Sequence, residues 1–302
     1  MSKTARFEGC LLGLACGDAV GTTVEFRARG TFRPVTDMTG GGPFGLRRGE
    51  WTDDTSMALC MATSLVERRK FDARDIMDRF CRWMDGGYLS SNGTCFDIGG
   101  TVSDALERYK DTGSVYAGSE DPYSAGNGCL MRLAPIPMFF HTDPAAAIEN
   151  SGLSSRLTHG ARECVDATRL FGAMLLGALD GASKDQILNG HDLPTNAGPS
   201  VHAIAACSYL RKSEDDVRGS GYVIDSLEAA LWCFAHTSSF EEAILRAANL
   251  GQDADTTAAI CGQIAGAHYG VTGIPARWLE WLAMRDEIRE LANRLAVASD
   301  NN

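Results

Sequence analysis

Apolar residues recur along this chain with the period of an α-helix rather than that of a β-strand. In residues 72–84, Asp72 suits the position just before a helix, and Ile76, Phe80 and Met84 then fall on one face. Strict alternation of apolar and polar residues, which is typical of a half-buried strand, is almost absent. The pattern therefore predicts an all-α protein.

Other segments show the same period and complete the expected architecture. Residues 225–235 and 275–295 each predict one helix, the second starting at Pro275, which suits a first helical turn. Their apolar faces consist of Leu227, Ala230, Leu231 and Phe234 in the first and of Trp278, Leu282, Ile288 and Leu291 in the second. Residues 10–16 predict a buried first helix. Because no linker or repeat divides the chain, we expect a single compact multi-helix domain over residues 1–298 and a frayed polar tail at 299–302.

Small residues recur inside the predicted first helix. Glycine supplies 33 of the 302 residues, and Gly9, Gly13 and Gly17 occupy every fourth position. Residues four apart lie on one face of a helix. The spacing therefore predicts that another helix packs closely against this face.

Charge and cysteine content exclude several classes of protein. The net charge is −11, and no run of lysine and arginine offers a basic face, so a nucleic-acid partner is not expected. No segment approaches the about 18 uninterrupted apolar residues of a membrane span. The ten cysteines never form a Cys-x-x-Cys pair, which favours free core thiols over disulfides or zinc and indicates a reducing, cytoplasmic location.

Two short acidic stretches stand out, Thr-Asp-Asp-Thr at 52–55 and Asp-Ala-Asp-Thr-Thr at 253–257. Each precedes an apolar, helix-like run, and either one alone is best interpreted as a helix cap. Together they indicate more, because neighbouring carboxylates repel one another unless a cation lies between them. Carboxylates and hydroxyls without histidine or cysteine favour Mg²⁺, Mn²⁺ or Ca²⁺.

The chain resembles the ADP-ribosylglycohydrolase family over nearly its whole length, from residues 9–21 to residues 274–279. Six motifs between these ends occur in the order in which the family has them. They lie at residues 52–55, 96–99, 126–132, 158–159, 222–225 and 253–256. The resemblance implies an all-α fold with a centre of two Mg²⁺ or Mn²⁺ ions in a cleft.

The resemblance also assigns expected roles to individual residues. The metal ligands by similarity are Thr52, Asp53, Asp54, Asp253, Asp255 and Thr256. Glu25 is expected beside the metals, and Asp97 nearest the bond to be cleaved. The loop Gly126-Asn127-Gly128 is expected to offer backbone N–H groups to a pyrophosphate. The remaining expected substrate-binding residues are Met131, Arg132, His159 and Tyr222.

The implied reaction is hydrolysis of the bond between the anomeric carbon of a ribose and a modified side chain, through an oxocarbenium-like transition state. Asp97 is expected to handle the proton, and Asp54 and Asp255 to hold metal. The substrate is expected to be an ADP-ribosylated protein, modified on arginine first, with serine- or nucleobase-linked ADP-ribose as alternatives. Free ADP-ribose is the product.

The sequence departs from the family pattern in places. Many relatives have Gly-Gly where this chain has Gly251-Gln252, and Gly100 replaces a polar residue of the nitrogenase-linked enzyme. Residues 36–50 and 110–124 match no motif and are candidate acceptor-reading loops.

Four expected site residues could instead have ordinary structural roles. Asp97 could begin a helix at 102–109, the glycine loop could be an ordinary turn, His159 could be structural and Tyr222 could belong to the core. A toxin-immunity role and a non-catalytic ADP-ribose-binding role are alternatives for the whole protein. The match of 253–257 to a phosphoaspartate motif is a weaker one, because that motif follows a buried strand.

Overall fold

The helical period predicted from the sequence is confirmed. The computed structural model describes residues 1–300, and no strand occurs in that range, apart from three isolated backbone bridges. Its fourteen α-helices are α1 (Lys3–Gly21), α2 (Asp53–Arg68), α3 (Ala73–Gly86), α4 (Gly100–Thr112), α5 (Pro135–Phe139), α6 (Pro144–Arg156), α7 (Arg162–Asp180), α8 (Lys184–Leu188), α9 (Pro199–Ala205), α10 (Val223–Ala235), α11 (Phe240–Asn249), α12 (Ala254–Tyr269), α13 (Ala276–Trp281) and α14 (Arg285–Ser299). Short 3₁₀ turns lie at Thr22–Val24, Pro122–Ser124, Ser208–Arg211, Glu214–Asp216 and Val271–Gly273.

Helices α1 and α12 form the centre of the molecule and pack antiparallel. A Cβ placed on Gly9, Gly13 or Gly17 would lie only 2.2, 2.4 or 2.1 Å from a backbone oxygen of α12. The facing α12 residues run backwards, from Gly266 to Ala258, as α1 runs forwards. The predicted close packing of the glycine face is therefore confirmed, and it brings the end of α1 beside the start of α12.

The other helices surround this central pair. Helices α7 and α11 contact both α1 and α12, while α10 packs on α12 and α14 on α1. Helix α2 packs against α3, α5 and α14, and α6 lies on α7. Because both central helices are covered on all sides, nearly every residue from Gly9 to Gly21 of α1 and from Ala254 to Ala267 of α12 is buried. The helices therefore share one core.

Helix α3 begins as the sequence predicts. The Asp72 carboxylate accepts a hydrogen bond from the backbone N–H of Asp75, which satisfies one free donor of the first turn. The apolar side chains Ile76 and Phe80 are fully buried. Helix α10 likewise covers the predicted segment 225–235 and buries its apolar face.

The single helix predicted over 275–295 is wrong, because the chain breaks between α13 and α14. Met284 has a left-handed backbone (φ 53°), which interrupts the helical hydrogen bonds. At the break, Ala283 forms two hydrogen bonds with the loop before α2. Its N–H donates to the Gly49 carbonyl at 2.9 Å, and its carbonyl accepts from the Trp51 indole N–H at 3.1 Å. Tertiary hydrogen bonds have overridden a continuous helical period.

The end of the chain is more ordered than its polarity predicts. Helix α14 continues through Ser299, whose side chain is buried and accepts a hydrogen bond from the Lys3 ammonium at 2.8 Å. The Asp300 carboxylate pairs with the same ammonium. The expected domain boundary at Ala298 thus falls inside the helix, and residues 301 and 302 lie outside the described residues.

The cysteine thiols lie mostly in the core, as the sequence predicts. All ten cysteines are free thiols, and eight of them are buried. Across residues 1–300, no helix is both long and apolar enough to span a membrane.

Candidate active site

The segment before α2 is held by a buried carboxylate from α1. Asp18 Oδ1 accepts from the backbone N–H and hydroxyl of Thr52, at 2.9 and 3.0 Å. Asp18 Oδ2 accepts from the backbone N–H and hydroxyl of Thr55, at 3.1 and 2.6 Å. Because a helix N-terminus leaves its first N–H groups unpaired, Asp18 acts as a cap supplied by a neighbouring helix. It fixes the position of the first acidic stretch.

The two acidic stretches meet where the central helices place them. The Thr256 hydroxyl lies 3.4 Å from Asp54 Oδ2, and the Thr52 hydroxyl lies 3.4 Å from Asp255 Oδ2. Residues more than 200 positions apart in the sequence therefore share one polar cluster. Thr52 and Asp54 are fully buried in the interior. The other acidic-stretch residues Asp53, Asp253, Asp255 and Thr256 line an open cleft.

The cleft above the cluster has a volume of about 310 Å³. Five carboxylates face it, together with apolar, glycine and other polar residues. Its lining consists of Glu25, Phe26, Asp53, Asp97, Ile98, Gly99, Gly100, Thr101, Val102, Gly126, Asn127, Gly128, Met131, His159, Gly221, Asp253, Asp255 and Thr256. Most of the residues expected at the site from the sequence are thus brought together.

Three carboxylates converge at one point of the cleft. Glu25, Asp97 and Asp255 each offer an oxygen, and these oxygens all lie within 4.8 Å of one another. Burial raises the pKa of Glu25 to about 9, with the negative charge of Asp97 adding to the effect. Burial also raises the pKa of Asp97 to about 7, with the charges of Asp18 and Asp253 adding to it. The cluster favours bound protons or a cation.

A hard metal cation fits this donor set. The pKa values of Asp53, Asp54 and Asp255 lie well above the usual range, because all three are buried and surrounded by other carboxylates. Glu25 Oε2 and Asp54 Oδ1 are buried and have no hydrogen-bond partner. Orphaned carboxylate oxygens among repelling carboxylates indicate an oxygen-ligand site for a divalent ion such as Mg²⁺ or Mn²⁺.

Backbone strain is concentrated around the same carboxylates. Phe26, Asp97 and Gln252 are three of the non-glycine residues with positive φ, at 60°, 61° and 60°. The Phe26 N–H donates to the Gln252 carbonyl and the Gln252 N–H to the Arg27 carbonyl, both at 2.7 Å. Such conformations cost about 1–3 kcal/mol each and typically occur at functional sites. The paired segments hold Glu25 and Asp253 in place.

Asp97 does not begin a helix. Helix α4 starts at Gly100, with Gly99 as its N-cap, and Asp97 lies in the loop before it with its side chain in the cleft. The interpretation of Asp97 as a helix cap is therefore wrong. Gln252 does not line the cleft and contributes through its backbone hydrogen bonds to Phe26 and Arg27.

The Gly126-Asn127-Gly128 loop differs in part from the sequence expectation. The N–H groups of Gly126 and Asn127 already donate to Ser124 and Gly221 carbonyls, at 2.8 and 3.1 Å. The Asn127 amide donates to Asp253 Oδ2 at 2.8 Å. These two N–H groups are consequently not free for a pyrophosphate, and Asn127 orients an expected metal ligand instead.

His159 and Arg132 form a buried pair of groups behind the loop. His159 faces Gly128 so closely that a Cβ there would lie 2.8 Å from its ring. Burial, aided by the Arg132 charge, lowers the pKa of His159 to about 3, so the ring is neutral. Arg132 is 1% exposed, donates to the Thr158 hydroxyl at 2.6 Å and does not line the cleft. Its expected place in the substrate-binding cleft is therefore not where the structure puts its side chain.

Tyr222 lies beside the cleft rather than in it. Its hydroxyl donates to Glu163 Oε2 at 2.6 Å, and it lines a neighbouring hollow that shares Thr101, Gly126 and Gly221 with the cleft. The side chain is 37% exposed, so it does not belong to the core. The hollow and the cleft therefore adjoin each other at Gly126.

Two groups at the site are not predicted by the sequence patterns. Asp18 lies within the first motif, one residue after Gly17, but nothing local distinguishes a buried cap from a solvent-facing aspartate at the end of a helix. Phe26, directly after Glu25, is a large apolar side chain that remains 68% exposed at the cleft. A phenylalanine next to a candidate acidic residue is the one local signal for it.

Comparison with known proteins agrees with this geometry. The family profile described as ADP-ribosylglycohydrolase matches residues 1–302. The chain is 47% identical to the ADP-ribosylarginine hydrolase Tri1 of Pseudomonas putida, over 96% of this chain and 77% of that protein. It is 31% identical to the ADP-ribosyl-[dinitrogen reductase] glycohydrolase of Rhodospirillum rubrum, over 96% of this chain and 94% of that protein.

A solved structure shows the same fold. It is described as an ADP-ribosylglycohydrolase-related protein complex, and it superimposes with a TM-score of 0.87 at 42% identity. The match covers 98% of this chain and 99% of the other. Because the sequence profile spans the chain and both relatives and structure agree with it, this protein belongs to the ADP-ribosylglycohydrolase family.

Proposed function

We propose that this protein removes ADP-ribose from modified arginine side chains of proteins by hydrolysing the bond between the anomeric carbon and the guanidinium nitrogen. The convergence of Glu25, Asp97 and Asp255 within 4.8 Å of one another carries the proposal, because it provides acid–base groups and metal ligands at one point. The name of the Pseudomonas putida relative supports arginine as the acceptor.

The expected metal ligands are Thr52, Asp53, Asp54, Asp253, Asp255 and Thr256, and the buried orphan oxygen of Asp54 supports this set. We propose that they hold two Mg²⁺ or Mn²⁺ ions. Such ions, when bound, polarise ribose hydroxyls and lower the pKa of water. The Asn127 amide, which donates to Asp253, orients one of the proposed ligands from outside the set.

Asp97 is the proposed proton-handling group. Its pKa of about 7 suits proton transfer near neutral pH, where both the acid and the base are populated. Its strained backbone fixes the carboxylate in the cleft rather than on α4. The neutral His159 cannot serve as a cationic acid, because burial and Arg132 hold its pKa near 3. It shapes the wall against Gly128 instead.

The first experiment measures free ADP-ribose released from an arginine-ADP-ribosylated protein, with Mg²⁺, with Mn²⁺ and with excess chelator. We expect release that depends on the metal ion. Serine-linked and nucleobase-linked ADP-ribose, tested in parallel, establish which acceptor is preferred.

The outcomes separate the parts of the proposal. Release that continues in chelator would contradict the metal-dependent reaction. Release from serine- or nucleobase-linked substrates alone would keep the hydrolase and overturn the acceptor. Absence of release from all three substrates, with ADP-ribose binding intact, would support a non-catalytic binding role.

A further inference from the structure

Three phenyl rings from three separate loops pack against one another, and one of them, Phe26, lines the cleft. Phe44 lies between the other two, with its ring centroid 6.2 Å from that of Phe26 and 5.3 Å from that of Phe96. Phe26 follows the 3₁₀ turn Thr22–Val24, Phe44 belongs to the loop before α2, and Phe96 belongs to the loop before α4. We name these three residues the aromatic wall.

The aromatic wall stands beside the acid–base groups. Phe26 directly follows Glu25 and lines the cleft, and Phe96 directly precedes Asp97. Phe26 and the carboxylates line the same cleft, so an acceptor side chain whose bond is cleaved at the carboxylates lies within reach of Phe26.

The exposure of Phe26 requires a physical reason. Its side chain is 68% exposed although its backbone is strained and pinned to Gln252. Neither hydrophobic burial nor local conformational preference favours this arrangement. A strained, exposed aromatic ring in a cleft is typical of a binding contact.

The protein's own cations avoid these three rings. Other aromatic rings carry an arginine: Arg27 lies over Phe32, Arg48 over Trp281 and Arg156 over Tyr116, at 5.6, 4.3 and 5.2 Å. Within residues 1–300, no lysine or arginine is stacked on Phe26, Phe44 or Phe96.

The arginines that are closest in sequence to the wall are engaged elsewhere. Arg27 donates to the Thr31 carbonyl at 2.8 Å, and Arg47 pairs with Glu50 at 2.6 Å. The Phe26 ring therefore shares the cleft with five carboxylates, and no lysine or arginine of residues 1–300 is stacked on it or on the two rings packed behind it. This combination of π faces and negative charge attracts an external planar cation.

We propose that the aromatic wall binds the guanidinium and the methylene stem of the acceptor arginine, and so makes the enzyme selective for arginine. The proposal rests on the function proposed above and names the residues that read its leaving group. A guanidinium stacks on the face of one phenyl ring, here that of Phe26, and its methylenes pack on apolar surface beside it, whereas a serine acceptor has neither group.

The test compares Phe26→Leu, Phe44→Leu and the double variant with wild type on an arginine-ADP-ribosylated peptide. Leucine keeps an apolar side chain and removes the π face. Loss of a cation–π contact raises KM by about tenfold, and kcat changes little because Glu25, Asp97 and Asp255 remain in place. Phe26→Tyr, which keeps a ring, recovers most of that affinity. Leu210→Ala, an exposed apolar truncation outside the cleft, serves as the control.

Two further measurements separate this proposal from the proposed function. Calorimetric binding of free ADP-ribose is expected to be the same in wild type and Phe26→Leu, since ADP-ribose lacks the acceptor. Binding of agmatine, a free guanidinium compound, to the ADP-ribose complex is expected to weaken in Phe26→Leu.

Each combination of results has one meaning. An unchanged KM in the double variant, with wild type active, would overturn the aromatic wall alone. Inactivity of wild type on arginine-linked substrate would overturn the proposed function, and agmatine binding that depends on Phe26 would still support the wall. If wild type is inactive on the arginine-linked substrate and agmatine binding does not depend on Phe26, both proposals are overturned.

Discussion

Replacing Asp18 with asparagine tests whether a buried cap from α1 holds the first acidic stretch, residues 52–55, in place. The Asp18 carboxylate accepts four hydrogen bonds, two from Thr52 and two from Thr55. Asparagine keeps one oxygen and turns an NH₂ group towards the other pair. A threonine hydroxyl can rotate to accept from that NH₂, but a backbone N–H cannot. One buried N–H therefore faces another donor.

The expected loss of stability follows from this count. A buried donor without a partner costs about 1–3 kcal/mol, and the remaining hydrogen bonds lose the strength that a charged acceptor gives them. We expect the free energy of unfolding to fall by about 2–4 kcal/mol, which lowers Tm by roughly 3–6 °C for a chain of this size. Removing the Asp18 charge also relieves repulsion with Asp53 and Asp54, so the measurement uses saturating Mg²⁺ to offset that repulsion.

The assay is thermal unfolding of wild type, Asp18→Asn and Asp72→Asn. Asp72 is a matched control, because its side chain caps α3 through one backbone N–H, and asparagine caps a helix as well as aspartate does. We expect little change in that variant. If Asp18→Asn were as stable as wild type in Mg²⁺ and bound the ion equally well, the proposed role of Asp18 would be refuted.

Four further predictions follow from the site and the central helices. Asp97→Asn is expected to keep the Mg²⁺-dependent rise in Tm but lose most turnover; full activity would exclude Asp97 as the proton-handling group. Asp255→Ala is expected to lose that rise in Tm, and a rise equal to that of wild type would remove Asp255 from the ligand set. Without metal, the folded protein holds protons on Glu25 and Asp97 that the unfolded chain releases above about pH 4. The free energy of unfolding should therefore fall between about pH 4 and 9, by up to about 1.4 kcal/mol per pH unit for each proton. A flat stability profile in chelator would contradict the raised pKa values. Gly17→Ala places a Cβ 2.1 Å from the Ala258 carbonyl and should destabilise the protein by about 3 kcal/mol, whereas Gly177→Ala, with its nearest atom at 3.7 Å, should be neutral or stabilising.

Features set by short-range periodicity were predictable from the sequence. The all-α class follows from residues such as Ile76 and Phe80, which recur every three or four positions and are buried. The glycines of α1 predicted a close helix neighbour, although only the structure identifies it as α12. The acidic stretches were visible because two carboxylates side by side need a partner of opposite charge.

Features set by contacts between distant segments were not predictable in this way. The break at Met284 depends on hydrogen bonds to Gly49 and Trp51, which no local pattern encodes. Arg132 belongs to a recognised motif, yet it packs behind the cleft on Thr158. In each case the sequence supplied the residue type, and tertiary packing decided its surroundings.

The glycine-mediated contact between α1 and α12 also constrains how the protein is synthesised. Helix α1 leaves the ribosome before α12, although the glycine face of α1 packs against α12 in the folded protein. Until α12 has been synthesised, the apolar residues of α1 lack their native packing partner, and only the first half of the proposed metal ligands is present. Domains whose core depends on contacts between residues far apart in the sequence fold slowly, and their folding intermediates expose apolar surface that is prone to aggregation. The acidic cluster is therefore complete only after α12 has been synthesised, and a chain truncated before α12 lacks half of the proposed metal ligands.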